Sequence, residues 1–345
     1  MRAMIWAALA ALLLPWTARA ETMDQLYDKA KAEATLVLWG AGPSSGYESA
    51  VRLFEQRFPG IKVSLTGGFS NVLNAKVEDQ LKAKKVETDL LVFQTVQDFV
   101  AWKKRGVLLR FKPEDFDKIG AAFKDKDGAW IGVNANPLFY GYNSASLKPE
   151  DLPKSALDFL KPQFRGKIVS AYPADDDATL YDFHLIVEKY GWGYMKKYMA
   201  QQPRFIQGHL GVARSLGSGE SLVSFDNSGG STATAAREGG KIGLAAPAAD
   251  RLPVFFTAEG ILKDAPHPNA AKLYVTWFLS KEQQSRTGTY SSRSDVPPPA
   301  GLQPLSSYKT AEGYLQFVTN EKQLVALRKR FESFTGPVTN AGGVR

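Results

Sequence analysis

The chain has 345 residues, a formal net charge of +8 and no cysteine. The missing cysteines exclude a disulfide framework, a cysteine–zinc site, a thiol nucleophile and a lipid-anchored cysteine. The basic residues are scattered without the basic–aromatic stripe typical of nucleic-acid binding, and the mild positive field that they produce favours an anionic ligand.

The first 20 residues predict a secretory signal peptide. Arg2 precedes an apolar run over residues 4–16, and Ala18-Arg19-Ala20 has the small-residue pattern of a cleavage site. The apolar run is short for a membrane span, and an uncleaved anchor is the alternative. We therefore expect cleavage near Ala20 and export to the periplasm, with a formal charge that falls from +8 to +6 because Arg2 and Arg19 are removed.

Residues 35–106 predict strands that alternate with helices. Apolar and β-branched runs at 35–39, 60–68 and 88–93 are typical of buried strands. Between them, residues 47–58 have the apolar spacing of an amphipathic helix, and Ser70 is the expected N-cap of a second one. Gly106 is the expected C-cap of a third helix. Such units imply parallel strands in an open sheet.

The second half of the chain predicts another set of α/β units between two extended segments, one near residues 132–142 and one near 256–261. Two such segments predict two lobes joined by two crossover strands. We expect lobe 1 to comprise residues 21–132 and 258–305, and lobe 2 to comprise residues 133–257 and 306–345.

The loop LWGAGPSSGYESA, residues 38–50, follows a predicted strand and precedes a predicted helix. Gly40-x-Gly42-x-x-Ser45 nearly matches a dinucleotide fingerprint, but Ser45 replaces the third small residue and the second strand ends without the required carboxylate. The loop also lacks the Gly-Lys-Ser/Thr of a P-loop. The loop is therefore interpreted as leading into a helix N-terminus that favours an anion. Helix capping by Ser45 is the alternative.

Two further loops have the same form. Residues 175–177 (DDD) precede a helix and favour capping, whereas residues 228–232 (SGGST) favour a ligand because small residues leave backbone amides approachable. Ligands of open α/β sheets lie beyond the carboxyl ends of the strands, so these loops converge on one cleft if the two lobes face each other.

The sequence resembles the extracellular solute-binding proteins of ABC importers, in the branch that includes ferric-ion-binding proteins and proteins that bind thiamine, phosphonates and sugar phosphates. The order and spacing of several segments carry the resemblance: residues 54–63 (FEQRFPGIKV), 104–108 (KRGVL), 141–143 (GYN), 151–155 (DLPKS), 164–168 (FRGKI), 266–272 (PHPNAAK) and 279–282 (LSKE). The resemblance implies a type II periplasmic-binding-protein fold, hinge closure on a ligand and docking on permease subunits.

Ferric-ion-binding members have two adjacent tyrosines before a helix that ends in Ala-Arg-Glu. The present sequence keeps Ala236-Arg237-Glu238 but has Gly230 and Ser231 near the tyrosine positions. Fe(III) prefers anionic oxygen ligands, which these two residues do not supply. The sequence therefore favours an organic phosphate, a phosphonate or a carboxylate, with ferric iron or a ferric chelate as the alternative; Tyr140 and Tyr290 are single candidate ligands.

We expect no cofactor, no resident metal and a monomer. Asp226 is a candidate acceptor for a ligand hydroxyl or amine. Arg293 either binds an oxyanion through two N–H groups or pairs with Asp295. The candidate ligand-binding residues are Ser44, Ser45, Phe69, Ser70, Tyr140, Asp226, Ser228, Gly229, Gly230, Ser231, Thr232, Tyr290 and Arg293.

A periplasmic hydrolase is the rival function. The chain has no histidine pair with metal-binding spacing, and no catalytic residue is assigned. His184 is expected to be packed and His267 to cap a helix, and none of the three histidines, His209 included, is assigned to chemistry.

Overall fold

The computed structural model describes residues 21–339, so the predicted signal peptide lies outside the described residues. The helices are α1 (Met23–Glu33), α2 (Glu48–Arg57), α3 (Ser70–Ala83), α4 (Val96–Arg105), α5 (Asp177–Tyr190), α6 (Gly193–Ala200), α7 (His209–Ser218), α8 (Gly229–Arg237), α9 (Pro268–Phe278), α10 (Lys281–Gln284), α11 (Tyr314–Val318) and α12 (Glu321–Thr335). Within residues 21–339, no helix is both long and apolar enough to cross a membrane.

The strands form two main sheets and one small pair. They are β1 (Thr35–Ala41), β2 (Lys62–Gly68), β3 (Leu90–Phe93), β4 (Ile131–Gly132), β5 (Asn136–Asn143), β6 (Val169–Ala171), β7 (Arg204–Ile206), β8 (Val223–Ser228), β9 (Ile242–Ala245), β10 (Leu252–Phe255), β11 (Ala258–Ile261) and β12 (Thr310–Ala311).

The first sheet, with the helices packed on it, forms lobe 1. Its order is β2-β1-β3-β11-β4, with β1 parallel to both β2 and β3 and with β11 antiparallel to its neighbours. The apolar side of α2 packs on α9 through Phe54, Tyr274 and Trp277, whose rings lie within 5.6 Å of each other. The predicted βαβ units, with parallel strands joined by helices, are therefore confirmed in this lobe.

The second sheet forms lobe 2 together with the β6–β7 pair. Its order is β12-β10-β5-β8, and β9 also pairs with β5. A parallel bridge between Ile168 and Val223 continues β8 toward β6, and β6 is parallel to β7. Hence β6, β7 and β8 end at one edge. The core of this lobe is aromatic, with Phe183 packed on Phe225 and Tyr198.

Two chain crossings join the lobes, one between β4 and β5 and one between β10 and β11. They bond to each other: the Val133 amide donates to the Thr257 carbonyl at 2.8 Å, and the Thr257 amide donates to Asn134 Oδ1 at 3.0 Å. The two-lobed α/β fold with two crossovers is thus confirmed. The exact boundaries, residues 21–132 with 258–305 and residues 133–257 with 306–345, remain a proposal.

Candidate functional site

The carboxyl ends of the strands of lobe 1 face those of lobe 2. Gln94 follows β3 and donates to Asp176 Oδ2 at 3.1 Å, and Gln97 donates to Asp177 Oδ2 at 2.6 Å. Nearby, Cε1 of Phe69 in lobe 1 lies 3.5 Å from where a Cβ would stand on Gly208 of lobe 2. These contacts bring the two strand edges together, as the loop positions predict, and they define the interlobe cleft.

On the lobe 1 side, close packing of the backbone explains the glycines at the ends of β1 and β2 and in the loop between β1 and α2. A Cβ on Gly40 would lie 2.4 Å from the Tyr47 ring, and one on Gly67 would lie 2.4 Å from the Ser44 amide. Gly42 has φ +85° and donates to the Gly68 carbonyl at 2.8 Å. Ser44 Oγ accepts from the Gly67 amide at 3.0 Å. This loop is therefore shaped by its own backbone packing.

Ser45 is exposed at the rim of the lobe 1 loop, in a short 3-10 turn without a side-chain cap. The alternative capping role for this residue is therefore not used. Phe69, and not Ser70, occupies the N-cap position of α3. Ser70 is the first helical residue, and its buried Oγ accepts from the Gln94 amide at 3.1 Å. The expected N-cap was thus one residue late, because the hydroxyl bonds a neighbouring strand end instead.

On the lobe 2 side, α8 begins at the cleft with an open first turn. Ser228 is the N-cap, and its Oγ accepts only from the Ser231 amide, at 3.3 Å. A Cβ on Gly229 or Gly230 would meet no atom within 4 Å, and neither glycine has positive φ. Thr232 Oγ1 donates to the Ser228 carbonyl at 2.8 Å. The half-buried Ser231 hydroxyl accepts from Ser228 and keeps its own proton for another partner.

The neighbouring helix α5 begins with its amides already occupied. Asp176 is the N-cap and accepts from the Ala178 and Thr179 amides, each at 2.9 Å. The same carboxylate accepts from His209 Nε2 at 3.2 Å, while His209 Nδ1 lies 2.9 Å from the Asp226 carbonyl. The predicted capping role of the DDD run is therefore seen at Asp176.

Charge pairing perturbs both members of the Asp176–His209 pair. Burial alone would lower the pKa of His209, but the charge of Asp176 and its hydrogen bond raise that pKa to about 9. Burial opposes ionisation of Asp176 as well, yet His209 and the amide donors hold the pKa of that carboxyl below its ordinary value. At neutral pH the pair is an imidazolium–carboxylate pair. The imidazole ring also stacks on Phe255, with centroids 5.9 Å apart.

Asp226 lies behind the cleft and is fully buried. Its carboxylate accepts from Ser170 Oγ, the Ala171 amide, Thr179 Oγ1 and Ser224 Oγ, with donor–acceptor distances of 2.5–3.1 Å. Four donors satisfy the oxygens, so the carboxylate ties β6, α5 and β8 together. Because the side chain is fully buried behind these partners, it is not exposed to a ligand in the cleft.

The hydroxyl groups of the two tyrosines predicted from the sequence as candidate ligands are both engaged in hydrogen bonds. Tyr140 donates to Asp250 Oδ2 at 2.7 Å, and Tyr290 donates to the Gln303 carbonyl at 2.6 Å. Burial raises the pKa of each hydroxyl above its ordinary value, and the charge of Asp250 adds to this effect at Tyr140. Neither residue presents a phenolate to the cleft.

Arg293 is buried inside lobe 1. Its guanidinium donates to Asp295 through Nε and Nη2, to Asp115 through Nη2 and to the Leu279 carbonyl through Nη1, at 2.8–3.0 Å. Four of the five N–H groups of an arginine are thus used. The sequence left two roles open for Arg293, and the structure shows the ion pair with Asp295. The guanidinium is therefore not available to an oxyanion ligand.

Sequence reasoning missed three residues that join or line the cleft: Gln94, Gln97 and His209. Gln94 and Gln97 are not distinguished by composition, since glutamines in loops and first turns are commonly solvated. His209 had one usable signal, because it follows Gly208 directly after a short strand. Among residues 21–339, no three His, Asp or Glu side chains are grouped so that they could hold a metal ion.

A family model described as bacterial extracellular solute-binding protein matches residues 49–315. A curated relative, the Fe(3+)-binding periplasmic protein of Serratia marcescens, is 25% identical over 138 residues, and this match covers 40% of the chain and 40% of the relative.

Solved structures with the same fold include iron-bound HitA from Pseudomonas aeruginosa (18% identity, TM-score 0.71, 86% of this chain and 99% of that chain). They also include the periplasmic binding protein AfuA from Actinobacillus pleuropneumoniae with exogenous fructose-6-phosphate bound (20% identity, TM-score 0.73, 87% of this chain and 98% of that chain). At these identities the likeness concerns the fold.

Proposed function

Because the chain belongs to the family of bacterial extracellular solute-binding proteins, we propose that it captures a small anionic solute in the interlobe cleft and delivers it to the permease subunits of an ABC importer. The solute is an organic phosphate, a phosphonate or a carboxylate. The lobes close on it by bending at the two crossings. The predicted leader at residues 1–20 would export the protein to the periplasm, where it acts as a monomer.

The observation that carries the anion proposal is the start of α8. Glycine costs helix stability relative to alanine, and here neither φ nor packing calls for glycine at positions 229 and 230. A ligand that comes close to the backbone supplies the missing reason. The Gly230 amide donates to no acceptor among the described residues, and it lies at the positive end of the helix dipole. The Ser231 hydroxyl adds a second donor.

The rest of the site also favours an anion over a bare ferric ion. Hard Fe(III) needs several anionic oxygens, whereas Tyr140 and Tyr290 donate their protons to other groups and Asp226 is satisfied by four donors. Phe69, which lies opposite lobe 2, offers an apolar surface to the rest of the solute. Ser45 stands exposed at the rim, and Ser44 and Ser70 shape the surrounding backbone.

Binding without turnover is the activity that these residues support. The cleft brings together amides, hydroxyls, an aromatic ring and one imidazolium–carboxylate pair, whose histidine is held on both ring nitrogens. A hydrolase would need a nucleophile next to a base with a free lone pair. No described serine or threonine at the start of α8 bonds to a histidine.

Titration calorimetry of the protein without residues 1–20 tests the proposal. The probes are fructose 6-phosphate, 2-aminoethylphosphonate, citrate and ferric citrate. We expect an anion to bind, and we expect Gly230→Ala to weaken it at least tenfold because a methyl group then stands where the anion approaches. The matched control is Gly193→Ala, which changes an equally open glycine at the start of α6.

Stability separates a binding defect from a folding defect. Both Gly→Ala changes should leave the free energy of unfolding equal or raise it by up to ~1 kcal/mol, because alanine is the better helix former. Binding of ferric citrate but not of free citrate or the phosphates would overturn the anion proposal in favour of the iron alternative. Equal binding by wild type and Gly230→Ala would remove α8 from the site.

A further inference from the structure

Lobe 2 contains a cavity of about 450 Å³ outside the interlobe cleft. One wall is a single face of α5, formed by Asp182, Leu185, Ile186 and Lys189, whose spacing of i, i+3, i+4 and i+7 matches one side of a helix. The other walls come from β5 and from the segment that leads into β10. The α8 turn contributes nothing to this cavity, and its volume is in the range of small-molecule sites.

The lining of the cavity includes a buried carboxyl group with one oxygen that has no hydrogen-bond partner. Asp182 is 4% exposed, and its Oδ2 is buried without a hydrogen-bond partner in the described part of the chain. Asp250, which lines the same cavity, is the opposite case: its carboxylate accepts from Tyr140, Tyr190, Lys189 and the Ala156 amide. A buried polar group without a partner costs stability, so Asp182 calls for an explanation that Asp250 does not.

The cavity wall and mouth indicate what would satisfy Asp182. Arg251 and Lys309 line the mouth, are exposed and form no ion pair with a described residue. Leu185, Ile186 and Pro253 supply apolar surface in the same lining. A ligand that fits this arrangement has an ammonium group at one end, a carboxylate at the other and a small aliphatic body.

We propose that this cavity is a second binding site, separate from the cleft, for a small aliphatic amino acid. Its ammonium group donates to Asp182, its carboxylate lies against Arg251 and Lys309, and its side chain packs on Leu185 and Ile186. A diamine fits less well because Arg251 and Lys309 outnumber Glu188, the acidic residue exposed in the same lining, and therefore disfavour a second positive charge. A simple carboxylate fits less well because it leaves Asp182 without a donor.

Binding at this site is coupled to a proton. Burial raises the pKa of Asp182 well above its ordinary value, the charges of Asp226 and Asp250 raise it further, and His209 opposes them. The buried environment therefore favours the protonated form of the free carboxyl. An ammonium group placed against it favours the carboxylate, so binding releases that proton to solvent.

Calorimetry with L-leucine and L-alanine tests the proposal. Putrescine, which has ammonium groups only, and isovalerate, which has a carboxylate only, are the comparison ligands. Titrations in phosphate and in HEPES at pH 7 should differ in heat in the sense of proton release, and Asp182→Asn should weaken amino acid binding at least tenfold and abolish that difference. Asp151→Asn, at an exposed position of the same lobe, is the matched control. Arg251→Gln is a second variant, at an exposed position where folding is not at risk.

The cleft variant Gly230→Ala separates the two sites. It should bind L-leucine as wild type does, and Asp182→Asn should bind the cleft anion as wild type does. The proposal is overturned if neither amino acid binds wild type, if Asp182→Asn and Arg251→Gln both bind as tightly as wild type, or if Gly230→Ala abolishes amino acid binding. In the last case the amino acid would be a cleft ligand.

Discussion

Helices α5 and α8 both start at the cleft edge of lobe 2, α5 after β6 and a short loop and α8 directly after β8, yet their first turns are chemically opposite. At α5 the carboxylate of Asp176 accepts from two amides and pairs with His209. At α8 the neutral hydroxyl of Ser228 accepts from one amide and leaves Gly230 open. The positive end of one helix is therefore neutralised by the protein itself, and that of the other is available to an anion.

Removing the carboxylate of Asp176 should have the largest effect. Asp176→Ala leaves two amides and a buried imidazolium without a partner, and breaking a buried pair in this way costs about 3–5 kcal/mol. Urea unfolding measures the loss. The control is Asp175→Ala, because Asp175 bonds only to the Gln207 side chain at 2.9 Å. If both variants lose the same free energy, the assigned role of Asp176 is wrong.

The pH dependence of stability should reveal the same pair. The pKa of His209 is raised to about 9 in the folded protein. Its contribution is therefore complete below the unfolded value near 6.5 and is lost as the pH rises through 9, a change of roughly 3 kcal/mol at about 1.4 kcal/mol per pKa unit. The depressed pKa of Asp176 acts in the opposite range, where stability falls as the pH drops below about 4.

Unfolding free energies at pH 6 and pH 9.5 measure the His209 contribution. Wild type should lose more stability than His209→Gln over this interval, because the variant lacks the titrating ring. Parallel pH profiles for the two proteins would contradict the pairing.

Making α8 resemble α5 tests the comparison directly. Ser228→Asp keeps a capping oxygen but places a negative charge at the start of α8, so we expect about a hundredfold loss of anion affinity, equivalent to about 2.7 kcal/mol. Stability should change little, since Asp and Ser are comparable N-caps. Ser228→Asn is the neutral control of the same size. Equal anion affinities for the two variants would mean that the anion does not bind at this turn.

The smallest effect should come from the hydrogen bond that links the start of α5 to Gln94 of lobe 1. Gln94→Ala removes one amide–carboxylate bond across the cleft, and a hydrogen bond to a charged group contributes about 1.5 kcal/mol, so anion affinity should fall about tenfold. Gln207→Ala removes the same kind of bond inside lobe 2. Calorimetry should find weaker binding only in the first variant; a loss in both would indicate general loosening.

Much of the fold could be predicted because it depends on local patterns. The apolar spacing of α2, the βαβ order of lobe 1 and the cap at Asp176 all arise from residues within a few positions of each other. The error at Ser70 was also local, since a serine before an apolar run was taken for a cap, whereas its hydroxyl bonds an amide 24 residues away.

The candidate site was harder to predict because its polar side chains form hydrogen bonds with segments that are distant in sequence. Asp226 is a plausible ligand acceptor in a list of cleft loops, but hydroxyls and amides 47–56 residues away in sequence occupy it. Tyr140 likewise is committed to Asp250, 110 residues later. Competition for donors and acceptors is settled only when the chain is folded, so sequence order cannot show which polar groups remain free.

The sequence by itself determined the elements, the two-lobed class and the family, because periodicity, caps and motif order are written along the chain. Only the tertiary structure decided that Arg293 pairs with Asp115, 178 residues away, that Gln94 reaches Asp176 across the cleft, and that one oxygen of Asp182 remains without a partner beside a cavity. The physical reason is that hydrogen bonds and buried charges depend on distances of a few ångströms between segments whose separation along the chain carries no information about their separation in space.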